Sequence, residues 1–375
     1  MMGSYEQELF ESIVNCSTVT SIELVLSPEC NLQCTYCYMK RHNKGKDSPV
    51  MSREVITQAI LLFKTLTKRQ KTFRIDLFGG EPLMQLDLVE FVLAVTKDDP
   101  LISNITIPTN AYFIDKYVED LLENFPKLHL SLSIDGPIWD PKFRQPRDEY
   151  RHLKLDYDYL IGLYHRFKPR VGFHPMIYAE GVEDFLPTFK YFLTAINDRS
   201  PDFDEFLYLL PVRNPGTWTR DRIRTLIESL REWYAFIREN GYSYGEGRYN
   251  ILTFPRVTRG ATCAIQMQLT VIWDGDLYPC HRLIYPQYRY GNVFDYPNWE
   301  FNRFFPFYFY HRGNAVICRK CPIDDRSKCI GGCLGAQYEY YGDPFTPIPD
   351  ICTLNRALVL NRNYILGMED RYVEP

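Results

Sequence analysis

Residues 21–40 read SIELVLSPECNLQCTYCYMK. The opening SIELVLS (21–27) is a short β-rich run, and the next stretch places Cys30, Cys34 and Cys37 on one compact loop, in C-x3-C-x2-C spacing. Further runs follow at FRIDLF (73–78), NITIPT (104–109), LHLSLSID (128–135), RVGFHPMIYA (170–179) and EFLYLLPV (205–212). Amphipathic stretches separate them at 52–66, 86–96, 114–124, 154–167, 185–196 and 219–240, with Ser52 and Thr219 as N-cap candidates. Six strands each followed by a helix predict an α/β fold with a parallel sheet and right-handed crossovers. Six units fall short of a closed eight-unit barrel, so the expectation is a partial (β/α)6 TIM barrel with its site at the C-terminal ends of the strands.

The rest of the chain divides around that barrel. Residues 1–20 form a short N-terminal extension, 21–240 the barrel, and 241–375 a small Cys-rich domain of hairpin and irregular structure without long helices. With 45% hydrophobic and 24% charged residues and a net charge of -4, the 375-residue chain is globular, and no nucleic-acid partner is implied. Apolar runs such as 60–63 and 207–212 are far shorter than the roughly 18 residues of a membrane span. The N-terminal MMGSYEQELFES lacks the apolar core of a signal peptide, so the expected location is cytoplasmic.

Of eleven cysteines, three lie at 30–37 and seven at 263–352, with none between. Clustered C-x2-C and C-x3-C spacings in a long chain without a signal peptide point to metal or iron-sulfur ligation rather than disulfides. Three thiolates on one loop can hold three irons of a [4Fe-4S] cube and leave the fourth open. Zinc would want a fourth ligand, for which His42 is an unusual candidate. Toward the C-terminus, CAIQMQLTVIWDGDLYPC joins Cys263 to Cys280 across an Asp-Gly turn that reads as a hairpin. Cys318-x2-Cys321, Cys329-x3-Cys333 and Cys352 follow, a set that suits iron-sulfur clusters or zinc ribbons. Cys16 stands apart and reads as a half-buried N-terminal residue.

The C-x3-C-x-aromatic-C loop after the first strand resembles the radical S-adenosylmethionine (SAM) superfamily. In that family SAM chelates the open iron, and reductive cleavage yields a 5'-deoxyadenosyl radical that abstracts hydrogen. Gly79, Gly80, Glu81 and Pro82 resemble the GGEP motif that holds the SAM amino group. Thr109 and Asn110 resemble a TNG turn in which Ala111 replaces the glycine. Ser133 and Asp135, in SIDGP, resemble the segment that approaches the SAM ribose, and Arg144, Arg147 or Arg151 could pair with its carboxylate. Tyr36 stands at the position whose aromatic packs near adenine.

The C-terminal cysteines resemble the SPASM extension, which carries two auxiliary [4Fe-4S] clusters and would bring the total to three. The resemblance implies Cys263, Cys280 and Cys333 for the first and Cys318, Cys321, Cys329 and Cys352 for the second. The cysteine that usually precedes the first auxiliary position is absent from FPRVTRGAT, which leaves an open iron or an unseen ligand there. Where sulfatase maturases place an Asp after the hairpin's second Cys, this chain has His281, a candidate base.

By this resemblance the expected activity is that of a maturase that cross-links or oxidises a side chain of a ribosomal peptide. Formylglycine formation in a sulfatase is the second reading, and a SPASM-related small-molecule dehydrogenase the third. A non-catalytic metal scaffold or electron carrier is the reading from another class. The implied partners are a peptide or protein substrate and an external flavodoxin- or ferredoxin-type electron donor. About twenty residues precede Ile22, too few for a leader-binding winged helix, so the substrate binds directly or a separate leader-binding protein presents it.

Overall fold

The computed structural model describes residues 2–15, 19–67, 72–200, 210–212, 214, 216–242, 264–310, 315–321, 329 and 331–369. Two compact units emerge, the first of Met1–Ser131, Pro146–Leu155 and Cys263–Tyr310, the second of Leu132–Gln145, Asp156–Thr262 and His311–Pro375.

In the first unit, helix α1 (Met2–Asn15) precedes β1 (Ser21–Ser27), α2 (Arg53–Leu66), β2 (Phe73–Gly79), α3 (Leu86–Thr96), β3 (Ile102–Thr109), α4 (Lys116–Asn124) and β4 (Leu128–Leu132). Caps set these helix starts locally: Ser52 accepts from Val55 N–H at 3.2 Å and Asp115 from Val118 N–H at 3.1 Å. β1 pairs in parallel with β2, and β2 with β3, as the βαβ alternation requires. All seven residues of β1 are buried.

Across the Asp-Gly turn, β8 (Gln268–Val271) and β9 (Asp276–Tyr278) form the expected hairpin, with Gly275 at φ +87°. A short β10 (Gly291–Asn292) pairs with β9, and β8 lies parallel to β1, giving the order β10-β9-β8-β1-β2-β3-β4 in this unit. The hairpin that carries Cys280 therefore extends the barrel sheet. Helix α9 (Phe301–Tyr308) follows, and Phe10 of α1, fully buried, packs its ring 5.4 Å from Trp299, 5.1 Å from Phe301 and 5.1 Å from Phe304.

The second unit holds α5 (Asp140–Phe143), α6 (Tyr157–Phe167), β5 (Val171–Phe173), β6 (Met176–Ile177), α7 (Phe185–Ile196), β7 (Leu210–Pro211) and α8 (Arg220–Glu239). Thr219 caps α8, accepting from Arg222 N–H at 3.3 Å. The run at 170–179 is split into β5 and β6 around Pro175, which has no N–H to give a ladder. Of the run at 205–212, residues 205–209 lie outside the described residues and only β7 is seen, parallel to β6. Beyond α10 (Val316–Arg319) and α11 (Leu334–Tyr341), the expectation of a C-terminal region without long helices fails. Helix α12 (Pro349–Glu369) is 21 residues long. Two of its buried polar residues reach tertiary partners: Arg231 Nε donates to Asn361 Oδ1 at 2.9 Å and Asn355 Nδ2 to Gly331 O at 2.6 Å.

Among the described residues, no helix is long and apolar enough to cross a membrane. Truncating the ring that ties α1 to α9, by Phe10→Ala, should lower stability by about 3–4 kcal/mol, read as a lower midpoint in chemical denaturation.

Candidate functional site

The ends of β1 and β2 meet at a backbone lock. Gly80 N–H donates to Ser27 O at 2.9 Å and Glu81 N–H to Glu29 O at 2.8 Å. A Cβ on Gly80 would stand 2.2 Å from Glu29 O and 2.4 Å from Pro28 O, and one on Gly79 would stand 2.3 Å from Ser27 O. Both glycines are thus required by close approach, since a side chain would push the turn off the segment leading into Cys30. Pro82 opens a short 3-10 turn, Pro82–Gln85, that is capped by the Glu81 carboxylate.

Glu81 is 2% exposed. Its Oε1 accepts from Leu83 N–H at 3.1 Å and Thr109 Oγ1–H at 2.7 Å, and its Oε2 from Asn110 N–H at 2.7 Å. The carboxylate is therefore fixed between the ends of β2 and β3. Ala111 takes a left-handed conformation that favours glycine, with φ +70° and its N–H donated to Thr109 Oγ1 at 3.1 Å.

Cys30, Cys34 and Cys37 sit half-buried on this loop, and Cys37 N–H donates to Cys34 O at 3.2 Å. Burial, and then the neighbouring Cys34, Glu81 and Cys37, push the Cys30 thiol well up. A thiol pushed up by burial and by neighbouring thiols is the kind of donor that a bound cationic cluster would deprotonate, so these residues fit an iron-sulfur group. Among the described residues, no three Cys, His, Asp or Glu side chains converge as a formed metal-binding group, and the thiols are neighbours rather than a closed sphere. His42, the candidate fourth zinc ligand, accepts at Nε2 from Arg41 Nε at 2.8 Å.

The other nominated residues separate. Tyr36 is half-buried on the same loop. Arg147 is bound to the loop: its N–H donates to Asn31 O at 2.8 Å and its Nη1 to Asn43 Oδ1 at 3.1 Å. Arg151 pairs with Asp148 at 2.7 Å on an exposed surface. In the second unit Ser133 is half-buried just past β4, while Asp135 is fully buried. Asp135 accepts from Met176 N–H at 2.7 Å and from the Tyr178 hydroxyl, and Arg144 stands 3.6 Å away. Its carboxylate braces the loop. Asp140 accepts from the N–H groups of Asp135 and Gly136 at 3.0 and 3.1 Å, and burial, then Asp135, push it up to about 7.

Sequence reasoning missed Glu23. His281 Nδ1 lies 2.6 and 2.8 Å from the two oxygens of this buried β1 carboxylate, which also accepts from Gln268 Nε2 at 3.0 Å and Thr270 Oγ1 at 3.2 Å. The imidazole stacks on Phe78 at 4.2 Å and Tyr38 at 5.4 Å, with interplanar angles of 14° and 18°. Position, plane and edge of the ring are thereby fixed, and Nε2 makes no hydrogen bond among the described residues. A lone Glu inside the apolar run SIELVLS was the available signal.

Cys280 is half-buried after β9, Cys333 is half-buried before α11, and Cys263 lies outside the described residues, as does Cys16. Cys318, Cys321, Cys329 and Cys352 are also half-buried thiols. Burial, then Cys318 and Cys329, push Cys352 up to about 12, with Cys321 adding to them, so all three lie near Cys352.

A partial barrel whose first strand-end loop carries three thiols beside a buried carboxylate defines an α/β enzyme fold with a place for a cysteine-held cluster. Residues 24–192 match the model of the radical SAM superfamily, so the chain carries a radical SAM domain. The radical SAM cyclopropyl synthase TigE of Paramaledivibacter caminithermalis is 23% identical, covering 95% of this chain and 76% of TigE. A probable GTP 3',8-cyclase of Archaeoglobus fulgidus is 33% identical over 107 residues, 28% of this chain and 32% of the cyclase. The chain thus spans about a third of the length of the cyclases it matches. Among solved structures, the anaerobic sulfatase maturase anSMEcpe with bound AdoMet has a TM-score of 0.70 at 20% identity, covering 94% of this chain and 100% of that one. Streptococcus suis SuiB bound to precursor peptide SuiA has a TM-score of 0.59 at 16% identity, covering 93% and 79%. These likenesses establish the α/β radical SAM fold.

The glycine contact yields a direct test. Gly80→Ala should separate the GGEP turn from the Cys loop, cutting iron retention at the first cluster while far-UV circular dichroism stays unchanged.

Proposed function

We propose that this radical SAM enzyme is a peptide- or protein-modifying maturase that acts on a side chain of a ribosomally made substrate. The carrying observation is the Cys30 loop locked at Gly80 onto the turn that presents Glu81. An electron carrier has no use for a buried carboxylate aimed beside an open cluster position, whereas a SAM site needs an acceptor for its ammonium group.

In this reading Cys30, Cys34 and Cys37 hold three irons of a [4Fe-4S] cluster. Glu81 accepts from the SAM amino group, with Gly79, Gly80, Pro82 and Asn110 shaping its cradle. Ser133 serves the ribose and Tyr36 the adenine. Arg147 offers its guanidinium to the SAM carboxylate, and Asp135 holds the ribose loop in place. Cys263, Cys280 and Cys333 bind a first auxiliary cluster and Cys318, Cys321, Cys329 and Cys352 a second. When bound, these groups supply one-electron cleavage of SAM and take up the electron left by substrate oxidation, with a flavodoxin- or ferredoxin-type protein as the external donor.

A peptide substrate is supported by the relatives. The anSMEcpe fold is also known with bound AdoMet and the Cp18Cys peptide, SuiB with its precursor peptide, and TigE is a cyclopropyl synthase. His281 is the proton acceptor of the reaction in this reading. Glu23 holds its Nδ1, stacking holds its plane, and Nε2 remains to accept a substrate proton. Replacement of the maturase Asp by His favours cross-linking or another side-chain oxidation over formylglycine formation.

Anaerobically purified protein should contain about twelve irons per chain, falling by about four in the Cys30, Cys34, Cys37 triple Ala variant with SAM cleavage abolished. Zinc in place of iron, or intact SAM with reduced clusters, would sink the reading. His281→Phe should keep reductive SAM cleavage within about twofold while lowering product formed per 5'-deoxyadenosine by about a hundredfold or more, the range of general-base catalysis.

A further inference from the structure

Asn31 follows the first cluster cysteine and was not among the nominated residues. It is fully buried, with its backbone oxygen accepting from Arg147 N–H. Its side-chain orientation follows from a chain of hydrogen bonds. Tyr112 N–H donates to Asn110 Oδ1 at 3.1 Å, so Asn110 must turn its Nδ2 the other way. That Nδ2 meets Asn31 at 2.6 Å, so the atom it meets is the acceptor Oδ1. The Asn31 Nδ2 is left buried with no hydrogen-bond partner among the described residues.

The surroundings of this amide are those of the cluster ligand. Asn31 Oδ1 lies 3.9 Å from Cys30 Sγ, Asn110 Nδ2 lies 3.8 Å from the same sulfur, and Leu32 N–H donates to it at 3.4 Å. An unpaired buried donor costs on the order of 1–3 kcal/mol, and folded proteins keep few of them. One carried by an amide whose other end lies beside a sulfur suited to hold a cofactor is explained if the cofactor completes it.

We propose that Asn31 is a cofactor-binding residue whose Nδ2 donates to an anionic acceptor of the group at Cys30. The acceptor is either a sulfur of the cluster or the carboxylate of SAM, and both are electron-rich atoms that a neutral amide N–H serves without adding charge. The assignment rests on the radical SAM reading and deepens it. A donor to cluster sulfur stabilises the more negative, reduced state and so raises the reduction potential. A donor to the SAM carboxylate forms a charge-assisted hydrogen bond and raises affinity instead.

Asn31→Leu removes the donor at similar size, and Asn31→Asp keeps an acceptor for Asn110 while replacing the donor with an anion. In reconstituted enzyme, the midpoint potential of the first cluster would be measured without SAM by EPR-monitored titration, and SAM affinity by calorimetry with the cluster oxidised. A lower potential in both variants identifies the sulfur as acceptor. A loss of about five- to tenfold in SAM affinity in Asn31→Leu, and a larger one in Asn31→Asp, identifies the carboxylate. If neither variant retains the first cluster while circular dichroism is unchanged, the donor is needed to hold the cluster and the sulfur assignment stands. Wild-type protein that binds no cluster or leaves SAM intact would refute the radical SAM reading itself. Wild-type protein that binds both, matched by the two variants in potential and within about twofold in affinity, would overturn the Asn31 assignment alone.

Discussion

The site depends on one carboxylate, Glu81, that has almost no exposed surface and three protein donors. A buried acceptor of this kind is tolerated only where its hydrogen bonds are made, so the ends of β2 and β3 are held wherever Glu81 is held. The strand end carrying Glu81 is in turn held to the Cys loop by Gly80 and Glu81 backbone bonds, an approach that a Cβ on Gly79 or Gly80 would not permit. Position therefore passes from sheet to carboxylate to thiol loop through groups that cannot be exposed to water or displaced separately.

What was legible in the sequence was local. Ser52 and Thr219 cap their helices, 86–96 and 185–196 are helices at the expected bounds, and Asp274-Gly275 turns a hairpin. Each of these is decided by a few consecutive residues. The Cys loop and GGEP turn were readable for the same reason, because close approach demands glycine at particular positions. The missed features are those in which a distant partner changes what a residue costs. Helix α12 looked like turn-rich sequence because Asn355 and Asn361 interrupt its apolar spacing, yet both are buried against Gly331 O and Arg231. Asp135 looked like an open polar side chain, and its partners Met176, Tyr178 and Arg144 lie well beyond the SIDGP turn or across it.

Glu23 is the plainest case. Nothing in SIELVLS says what would satisfy a carboxylate in a buried strand, since its partners Gln268, Thr270 and His281 come from a hairpin some 245 residues later. The parallel pairing of β8 with β1 supplies them, and it matches Ser21 with Gln268 and Glu23 with Thr270. Strand side chains alternate between faces, so a slip of one residue would turn Gln268 and Thr270 away and leave the Glu23 charge buried with less than half its donors. The polar set on the inner face thus fixes the register between the first strand and the C-terminal hairpin more strictly than apolar packing alone would.

That register has a consequence for the two cysteine groups. Tyr38 is covalently next to Cys37 and His281 is covalently next to Cys280, and their rings stack within the first unit. Arg41 reinforces the contact, donating to Arg282 O at 2.7 Å and lying 4.3 Å over the Tyr285 ring. With each ring one residue from a thiol, and with His281 also held by Glu23 and Phe78, neither cysteine can move without carrying its neighbour. Two sulfur sites far apart in sequence are therefore set in one frame by β1–β8 pairing, a buried carboxylate and an aromatic stack. A first strand that presents thiols at one end and anchors a histidine through Glu23 places three thiols and an imidazole on the same rigid element. Under the proposed function that arrangement suits oxidation of a side chain held between them, because geometry then resides in the sheet rather than in loops that the substrate would have to order.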